Sequence, residues 1–391
     1  MTDRLYYHDS YLTEFKALVV EASADRRRIY LDRTAFYPAS GGQPFDTGKL
    51  AGIEVQEVID EDSRIAHLLG GPLDETDVTG LIDWPRRFDH MQQHTGQHLL
   101  SAVLMDLFQA PTVSFHLGAE ASTIDIARTL DSGEIRRVAE RANEIVFENR
   151  PVTVSYQDSA EDLALRKPTE REGVIRIVSI QNLDRSACGG THVRATGEIG
   201  PILIRKLDRI RGNMRLEFLC GMRAVERARA DYEGLSEIAR AFSAPLDEAP
   251  GLVLGQKEKL QESEKARRRI AMELAQACGR ELYEKTPPSE DGIRRVQRTV
   301  ESLSEEVRTE AQAFTGGSKS VFLALGTEPP SLLIAASPDS GVNAGALLKQ
   351  SLAAIGGRGG GSATMAQGSA PTQAALDEAA RALLPGMGFS R

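Results

Sequence analysis

The segment Gln93–Leu100 reads QHTGQHLL and places two histidines, His94 and His98, four positions apart. On a helix, residues four apart lie on the same face, so the two imidazoles are close enough to bind one cation. A second pair, Cys188 and His192, has the same spacing within the sequence CGGTHV. Either pair alone is more typical of buried core histidines or of a small buried thiol. Together, three imidazoles and a thiolate form a tetrahedral ligand set suited to zinc.

Length and composition indicate a globular protein of several domains. A chain of 391 residues exceeds the size of one ordinary core, so two or three domains are expected. The sequence is 41% hydrophobic and 26% charged, and no apolar run approaches the length of about 18 residues that a membrane span needs. The N-terminus has no apolar signal core, and three cysteines do not form a disulfide framework. These features predict a cytoplasmic protein.

Local basic clusters stand out against the net charge of -9. Residues 205–215 contain five basic side chains and one acidic one, and shorter basic runs occupy 26–28 and 267–269. Each run is compatible with an ordinary solvated face. Several separate basic patches on an acidic protein also fit a partner that is touched at a few points, such as a folded RNA.

Hydrophobic patterning predicts an α+β fold in four parts. Residues 1–88 read as a small β-barrel-like domain, because short alternating runs near 15–20, 28–31 and 53–58 are separated by Gly, Pro and Asp turns. Residues 89–222 are typical of an antiparallel sheet packed on two long helices, near 91–107 and 132–149. Residues 316–391 predict a small α/β C-terminal domain with strands at 321–325 and 331–336 and helices at 344–354 and 372–384.

Residues 223–315 are rich in Glu, Arg, Ala and Leu and predict a helical hairpin or coiled-coil linker. A helical stretch near 253–285 ends at two adjacent prolines, Pro287 and Pro288, which forbid its continuation. Beyond them, apolar residues recur in alternating steps of three and four with one position skipped, at Ile293, Val296, Val300, Leu303, Val307 and Phe314. This spacing is that of a coiled-coil seam. The seam either folds back within one chain or pairs two chains as a homodimer.

Two glycine-rich stretches invite a binding interpretation. In the loop 32–48, Gly41 and Gly42 allow positive φ and close backbone approach. Near the C-terminus, residues 357–362 read GRGGGS, which resembles a phosphate-binding loop in composition. This stretch lacks the Lys-Ser/Thr ending of a P-loop and the spacing of a dinucleotide fingerprint, so nucleotide binding is not expected there.

Three motifs, in this order and spacing, resemble the alanyl-tRNA editing proteins of the AlaX family. They are FYPASGGQ at 36–43, HTGQHLL at 94–100, and CGGTHV at 188–193 followed by TGEIG at 196–200. The tail resembles the C-terminal DHH-associated domain of alanyl-tRNA synthetase through GRGGGS at 357–362 and MAQ at 365–367. The chain therefore looks like the long form of the family.

The resemblance implies a zinc-containing hydrolase that removes wrongly attached serine, and in some members glycine, from tRNA(Ala). It implies that zinc and the catalytic centre are held by four residues, His94, His98, Cys188 and His192. It also implies substrate contacts from Thr34, Gly41, Gly42 and Gln43, and a mischarged tRNA(Ala) as the partner.

Elementary chemistry explains why an editing enzyme of this kind is needed. A pocket built for alanine rejects serine by only about a factor of 100, whereas a site that hydrogen-bonds the serine hydroxyl rejects alanine far more strongly. Zinc would activate water or polarise the ester carbonyl, and backbone amides of the Gly41, Gly42 or Gly190 loops would hold the developing oxyanion. Four protein ligands are typical of a closed structural site, so two possibilities stay open. Either one ligand, such as His192, is displaced, or the metal mainly shapes the pocket. A zinc-stabilised tRNA-binding module without catalysis is the alternative function.

Overall fold

The computed structural model describes residues 1–158, 165–166, 173–210 and 212–389. The chain forms two compact units, Met1–Ile238 and Ala239–Arg391. Both combine helices with largely antiparallel sheets, which confirms the α+β class. None of the described helices is both long and apolar enough to cross a membrane. Arg211, part of the predicted basic cluster at 205–215, lies outside the described residues.

The first unit begins with a closed β-barrel. The elements of this region, in chain order, are β1 (Asp3–Arg4), α1 (Leu5–His8), β2 (Glu14–Ala22), β3 (Arg28–Leu31), β4 (Arg33–Thr34), β5 (Gly48–Leu50), β6 (Ile53–Glu61), β7 (Arg64–Leu69) and β8 (Asp77–Ile82). Strands β2, β3, β7, β6, β5 and β8 close the barrel in that order, each antiparallel to its neighbours. Inward-facing apolar residues such as Ile29, Leu50 and Val58 fill it. The runs expected near 15–20, 28–31 and 53–58 fall within β2, β3 and β6.

The remainder of this unit contains both predicted metal-ligand pairs. Its elements are α2 (Trp84–Phe108), β9 (Thr112–Leu117), β10 (Ser122–Ile126), α3 (Ser132–Phe147), β11 (Val152–Gln157), β12 (Ile175–Ile180), β13 (Asp184–Ala187), β14 (Ile202–Ile210) and β15 (Asn213–Cys220). Helix α2 begins before the expected residue 91, because Asp83 caps it by accepting from the Arg86 N–H and Pro85 lies in its first turn. Helix α3 starts with a capping box of Asp131 and Glu134.

Helix α2 packs closely on the sheet that contains β15. The strands of this antiparallel sheet run in the order β14-β15-β10-β9, and a second antiparallel sheet has the order β11-β12-β13. Leu99 and Val103 of α2 share a fully buried core with Val138 of α3. Gly96 makes the close approach possible, because a Cβ at this position would overlap with the Cys220 sulfur on β15. The glycine between the two histidines therefore allows α2 to lie close to β15.

Two helices follow strand β15, as the composition of residues 223–315 predicts. They are α4 (Met222–Ala241) and α5 (Ala249–Lys285), joined by a short 3-10 turn at Leu246–Glu248. Helix α5 ends just before Pro287 and Pro288, which confirms the predicted break. In the second unit, α5 packs along α6 (Glu305–Thr315).

The predicted coiled-coil seam is wrong in its first half. Residues Arg294–Val300 form a strand, β16, which pairs in parallel with β17 (Ser320–Thr327). The pattern misleads because residues four apart, such as Val296 and Val300, share one face of a strand as well as one face of a helix. The strand is specified by a partner that lies beyond α6 in sequence, which local spacing does not reveal. Val296, Val300 and Phe314 pack inside this unit, and pairing of two chains stays a prediction.

The second unit is built on one five-stranded sheet. Its other elements are β18 (Pro330–Ala336), α7 (Ala344–Ala354), β19 (Arg358–Gly361), β20 (Met365–Ser369) and α8 (Gln373–Gly386). The sheet order is β16-β17-β18-β20-β19, and only the β16 and β17 pair is parallel. The glycine-rich stretch is strand β19, where a Cβ at Gly359 would lie 2.6 Å from Gly368 Cα. Gly359 and Gly361 therefore allow the close approach of β19 and β20, whereas a Cβ at Gly360 would meet nothing within 4 Å.

Candidate metal centre

The two sequence pairs meet at one point in the first unit. His94 and His98 project from α2, Cys188 directly follows β13, and His192 lies in the loop after it. One possible ligand atom from each residue lies within 4.8 Å of the others. Cys188 Sγ is 3.3 Å from His192 Nε2 and 3.5 Å from His94 Nε2. All three histidines are buried, so the donors converge in a place largely shielded from water.

Each histidine is oriented through its other ring nitrogen. His94 Nδ1 lies 2.9 Å from Gln43 Oε1, and His98 Nδ1 lies 3.0 Å from Asp184 Oδ2. Because both partners are acceptors, each of these Nδ1 atoms carries a proton, and each Nε2 atom points toward the cysteine.

The third histidine, His192, is also oriented through its Nδ1 atom, in this case by a hydroxyl group. His192 Nδ1 is 3.1 Å from Thr95 Oγ1, whose own proton goes to the Met91 carbonyl at 2.8 Å. The hydroxyl therefore accepts from His192, and three Nε2 atoms face the cysteine sulfur. This arrangement is the outer hydrogen-bond shell expected around a metal site.

The electrostatic environment favours a thiolate and a neutral His192. Burial alone would raise the pKa of Cys188, but the adjacent His94 and His192 hold that pKa well below its usual value. Burial lowers the pKa of His192 to about 3, so its ring is neutral near pH 7. Burial opposes a charge on His98, yet hydrogen bonds to Asp184 and Cys188 raise its pKa to about 9. Without metal, His98 therefore holds a proton that a metal ion must displace.

A cavity of about 450 Å³ opens beside this cluster. Its wall includes His94, His98 and Cys188 on one side and the glycine turn, Gly41 and Gly42, on another. Both glycines have positive φ, +54° and +81°. The turn also contacts β9, since the Leu117 N–H donates to the Gly42 carbonyl at 3.3 Å. A cluster that could hold a metal ion thus borders a cavity large enough for a small ligand.

Comparison with known proteins identifies the family. Residues 175–216 match the threonyl and alanyl tRNA synthetase second additional domain, and residues 296–384 match the DHHA1 domain. The chain is 32% identical to the alanyl-tRNA editing protein AlaX-L of Pyrococcus horikoshii, over 94% of this chain and 94% of that protein. The chain belongs to the AlaX family of alanyl-tRNA editing proteins. The relationship to this family therefore supports tRNA editing as the general activity of the chain.

Longer relatives of this AlaX protein are alanine–tRNA ligases. It is 32% identical to the ligase of Methanoregula boonei over 96% of its own length, but it spans only 42% of that protein. It is 33% identical to the Korarchaeum cryptofilum ligase and spans 44% of it. Among solved structures, the C-Ala domain of Aquifex aeolicus alanyl-tRNA synthetase matches 24% of the chain and 90% of that domain, at 24% identity and a TM-score of 0.22.

The structure brings only two of the four expected substrate residues of this AlaX protein to the cavity wall. Gly41 and Gly42 line it, whereas Gln43 lies behind His94. The Gln43 amide donates to Thr191 Oγ1 at 2.8 Å, and its carbonyl also accepts from the Thr191 N–H at 3.1 Å. Gln43 therefore connects a ligand from α2 to the loop that carries the other ligand pair, which is a positioning role.

Thr34 is also away from the cavity wall. It is fully buried in the barrel region, with its hydroxyl 2.9 Å from His67 Nε2 and accepting from the Phe36 N–H at 3.1 Å. Both partners come from the protein itself, so the hydroxyl is already satisfied. The geometry of this AlaX chain thus gives Thr34 a structural setting, and direct contact with a substrate stays a prediction.

Two arginines that hold the segment around Cys188 in place were not predicted from the sequence. Arg176 of β12 donates to the carbonyls of Cys188 at 2.7 Å and Gly190 at 3.0 Å, and Arg166 donates to Asp184 at 2.7 Å. Arg176 is itself buried. A signal was available, because an arginine stands inside the apolar strand IRIVSI. Charged residues in such strands are rare unless they have a dedicated partner.

The protonated state of His98 predicts that the affinity of this cluster for a metal ion depends on pH. With a pKa of about 9, His98 binds a proton throughout the neutral range, and metal binding must release it. Affinity should therefore rise about tenfold per pH unit from pH 6.5 to 8.5 and level off above pH 9. For the same reason, the stabilisation that the raised pKa gives the metal-free protein is lost as pH rises through about 9.

Competition with a chromophoric chelator of known proton affinity at pH 6.5, 7.5 and 8.5 would measure this dependence. An Asp184→Asn variant provides the comparison, because it removes the carboxylate that holds the proton on His98. We expect its slope to be flatter and its affinity at pH 8.5 to be about 10- to 100-fold lower than that of the parent. A parent affinity that does not change with pH would contradict the prediction.

Proposed function

We propose that this AlaX protein is a trans-editing hydrolase that deacylates tRNA(Ala) mischarged with serine, with glycine as a second candidate substrate. The observation that carries the proposal is the convergence of His94, His98, Cys188 and His192 at the wall of a cavity bordered by a glycine turn. The reaction is hydrolysis of the ester between the amino acid and the terminal ribose. A cytoplasmic location follows from this role, because charged tRNA is the substrate.

The donor set fits zinc. Three imidazole nitrogens and one thiolate match the preference of Zn²⁺ for mixed nitrogen and sulfur ligands, and each imidazole has an outer partner on its second nitrogen. We therefore assign zinc to His94, His98, Cys188 and His192. Zinc bound there would supply a fixed positive charge and a Lewis acid next to the ester.

The remaining tasks fall to the protein itself. We assign the backbone amides of Gly41 and Gly42 to the developing oxyanion, since this turn lies on the cavity wall. The Gly190 amide is less suited, because it already lies 3.4 Å from the Cys188 sulfur. Arg176 holds the carbonyls of the same loop and so keeps the cysteine in place. The buried wall excludes bulk water and strengthens these interactions.

A zinc-stabilised tRNA-binding module without catalysis is the competing function. It is favoured by the number of protein ligands, because four such ligands describe closed structural zinc sites and catalytic sites usually have three. In that case metal would support the loop around Cys188 and the cavity would only hold the end of a tRNA.

Deacylation of serine-charged tRNA(Ala) by the native chain is the decisive test, with alanine-charged and glycine-charged tRNA(Ala) measured beside it. We expect rapid loss of serine with alanine spared, loss of activity after zinc is removed by a chelator, and recovery when zinc is restored. Binding of uncharged tRNA would be followed in the same samples. Intact serine ester in the presence of zinc-loaded, tRNA-binding protein would overturn the editing proposal and leave the binding module.

A further inference from the structure

Gln97 occupies a special place in the cavity wall. It lies on α2 between the two ligands His94 and His98, one turn along the same helical face as the first of them. Its side chain lines the cavity and is only 2% exposed. Neither the metal nor the fold of α2 requires an amide here, because the ligand spacing is set by the histidines alone.

In the described structure, only the nitrogen of the Gln97 side-chain amide has a hydrogen-bond partner. Its Nε2 donates to the Ser101 hydroxyl at 2.8 Å, and Thr112 donates to the same hydroxyl at 2.7 Å. These two bonds orient the side chain. Its carbonyl oxygen, Oε1, is buried and has no hydrogen-bond partner among the residues that the structure describes.

Other polar groups in the wall already have partners in the protein. The Tyr37 hydroxyl donates to the Ser40 carbonyl, the Ser114 hydroxyl to Asp125, and the Ser186 hydroxyl to Asp184. In the described part of the wall, Gln97 Oε1 is thus the buried side-chain atom left without one. A buried acceptor without a donor is unfavourable, and native structures keep such atoms rarely and usually for a function.

We propose that Gln97 is a specificity residue that accepts a hydrogen bond from the side-chain hydroxyl of the serine in the mischarged tRNA. This inference rests on the proposed function and names the group that reads the amino acid. Serine gives Oε1 the donor that it lacks. Alanine and glycine carry no such donor and leave the carbonyl unpaired in a buried place, so their esters are bound less well.

Replacing Gln97 by methionine tests the proposal, because methionine has a similar length and shape and no acceptor oxygen. The measurement is kcat/KM for serine-, alanine- and glycine-charged tRNA(Ala) with the zinc-loaded full chain. We expect serine deacylation to fall about 10- to 100-fold. Alanine and glycine deacylation should stay near the parent values, and zinc content and thermal stability should be unchanged. A Gln97→Glu variant, which keeps an acceptor oxygen, should retain more of the serine preference than the methionine variant does.

The matched control is Gln276→Met, the same change on an exposed position of α5. It should leave all three rates unchanged. If Gln97→Met lowers the three rates equally, or if Gln97→Glu loses the serine preference as fully, the assignment of Gln97 is wrong while the editing function stands. If the parent chain itself does not deacylate serine, the proposed function fails before Gln97 is tested. The two failures are therefore distinguishable.

Discussion

Replacing Gly190 by alanine is expected to lower zinc affinity at least about 100-fold and to abolish deacylation in proportion. The reason is steric. A Cβ at this position would overlap with Cε1 and Nδ1 of the His94 ring and lie 2.9 Å from Gln43 Oε1. The His94 ring would have to move, and this would break the hydrogen bond to Gln43 that fixes its tautomer. Since Gly190 also accepts from Arg176, the loop has little freedom to move away instead.

Zinc per chain after dialysis and zinc affinity by chelator competition measure this effect without reference to activity. Gly234→Ala is the matched control, because a Cβ at Gly234 in α4 meets no atom within 4 Å. We expect this control to bind zinc like the parent. Parent-like zinc affinity in Gly190→Ala would contradict the geometry of the centre, whatever the deacylation rate.

The sequence alone predicted the four residues that meet in the candidate metal centre because their spacing is local. His94 and His98 lie four apart on a helix, and Cys188 and His192 repeat that spacing, so two local signals sufficed. What joins the pairs is not local. Gln43 comes from the loop between strands β4 and β5 and Asp184 from strand β13, and nothing in their neighbourhood in sequence marks them as partners of a histidine. Roles that depend on contacts across the fold, such as that of Gln43, therefore needed the structure.

The same distinction explains the success and failure of the fold prediction. Helix α3 follows from its apolar stripe and its capping box, both of which lie within one segment. Strand β16 does not, because its spacing of valines is compatible with either type of element and its choice depends on parallel pairing with β17. Parallel pairing joins segments that are distant in sequence, so local periodicity carries no information on it.

A second large effect is expected from Arg87, which connects the glycine turn to the helix that carries the first histidine pair. Arg87 lies in the first turn of α2 and is fully buried. Its Nε is 3.0 Å from both carboxylate oxygens of Asp46, and its other nitrogens donate to the carbonyls of Ser10 at 2.9 Å and Ala35 at 2.5 Å. Asp46 in turn accepts from the Tyr37 N–H at 2.6 Å. One side chain thus ties the segment 35–46 to α2.

Arg87→Met is expected to destabilise the first unit by about 3–5 kcal/mol, because it leaves the Asp46 carboxylate buried and without its counter-charge. The chain contains one tryptophan, Trp84, which lies in the same helical turn, so its fluorescence during denaturant unfolding reports on this unit. Adding Asp46→Asn to the variant should recover part of the loss, since it removes the charge and keeps an acceptor for Tyr37.

The exposed ion pair of Arg229 and Glu233 on α4 supplies the control, and Arg229→Met should leave the Trp84 transition unchanged. An Arg87→Met transition within about 1 kcal/mol of the parent would contradict the prediction, because a buried pair that is broken on one side is far more costly than an exposed one. If the loss is found, zinc affinity should fall with it, since Gln43 and the glycine turn depend on the same segment. The stability of segment 35–46 and the geometry of the metal centre then depend on the same contacts of Arg87.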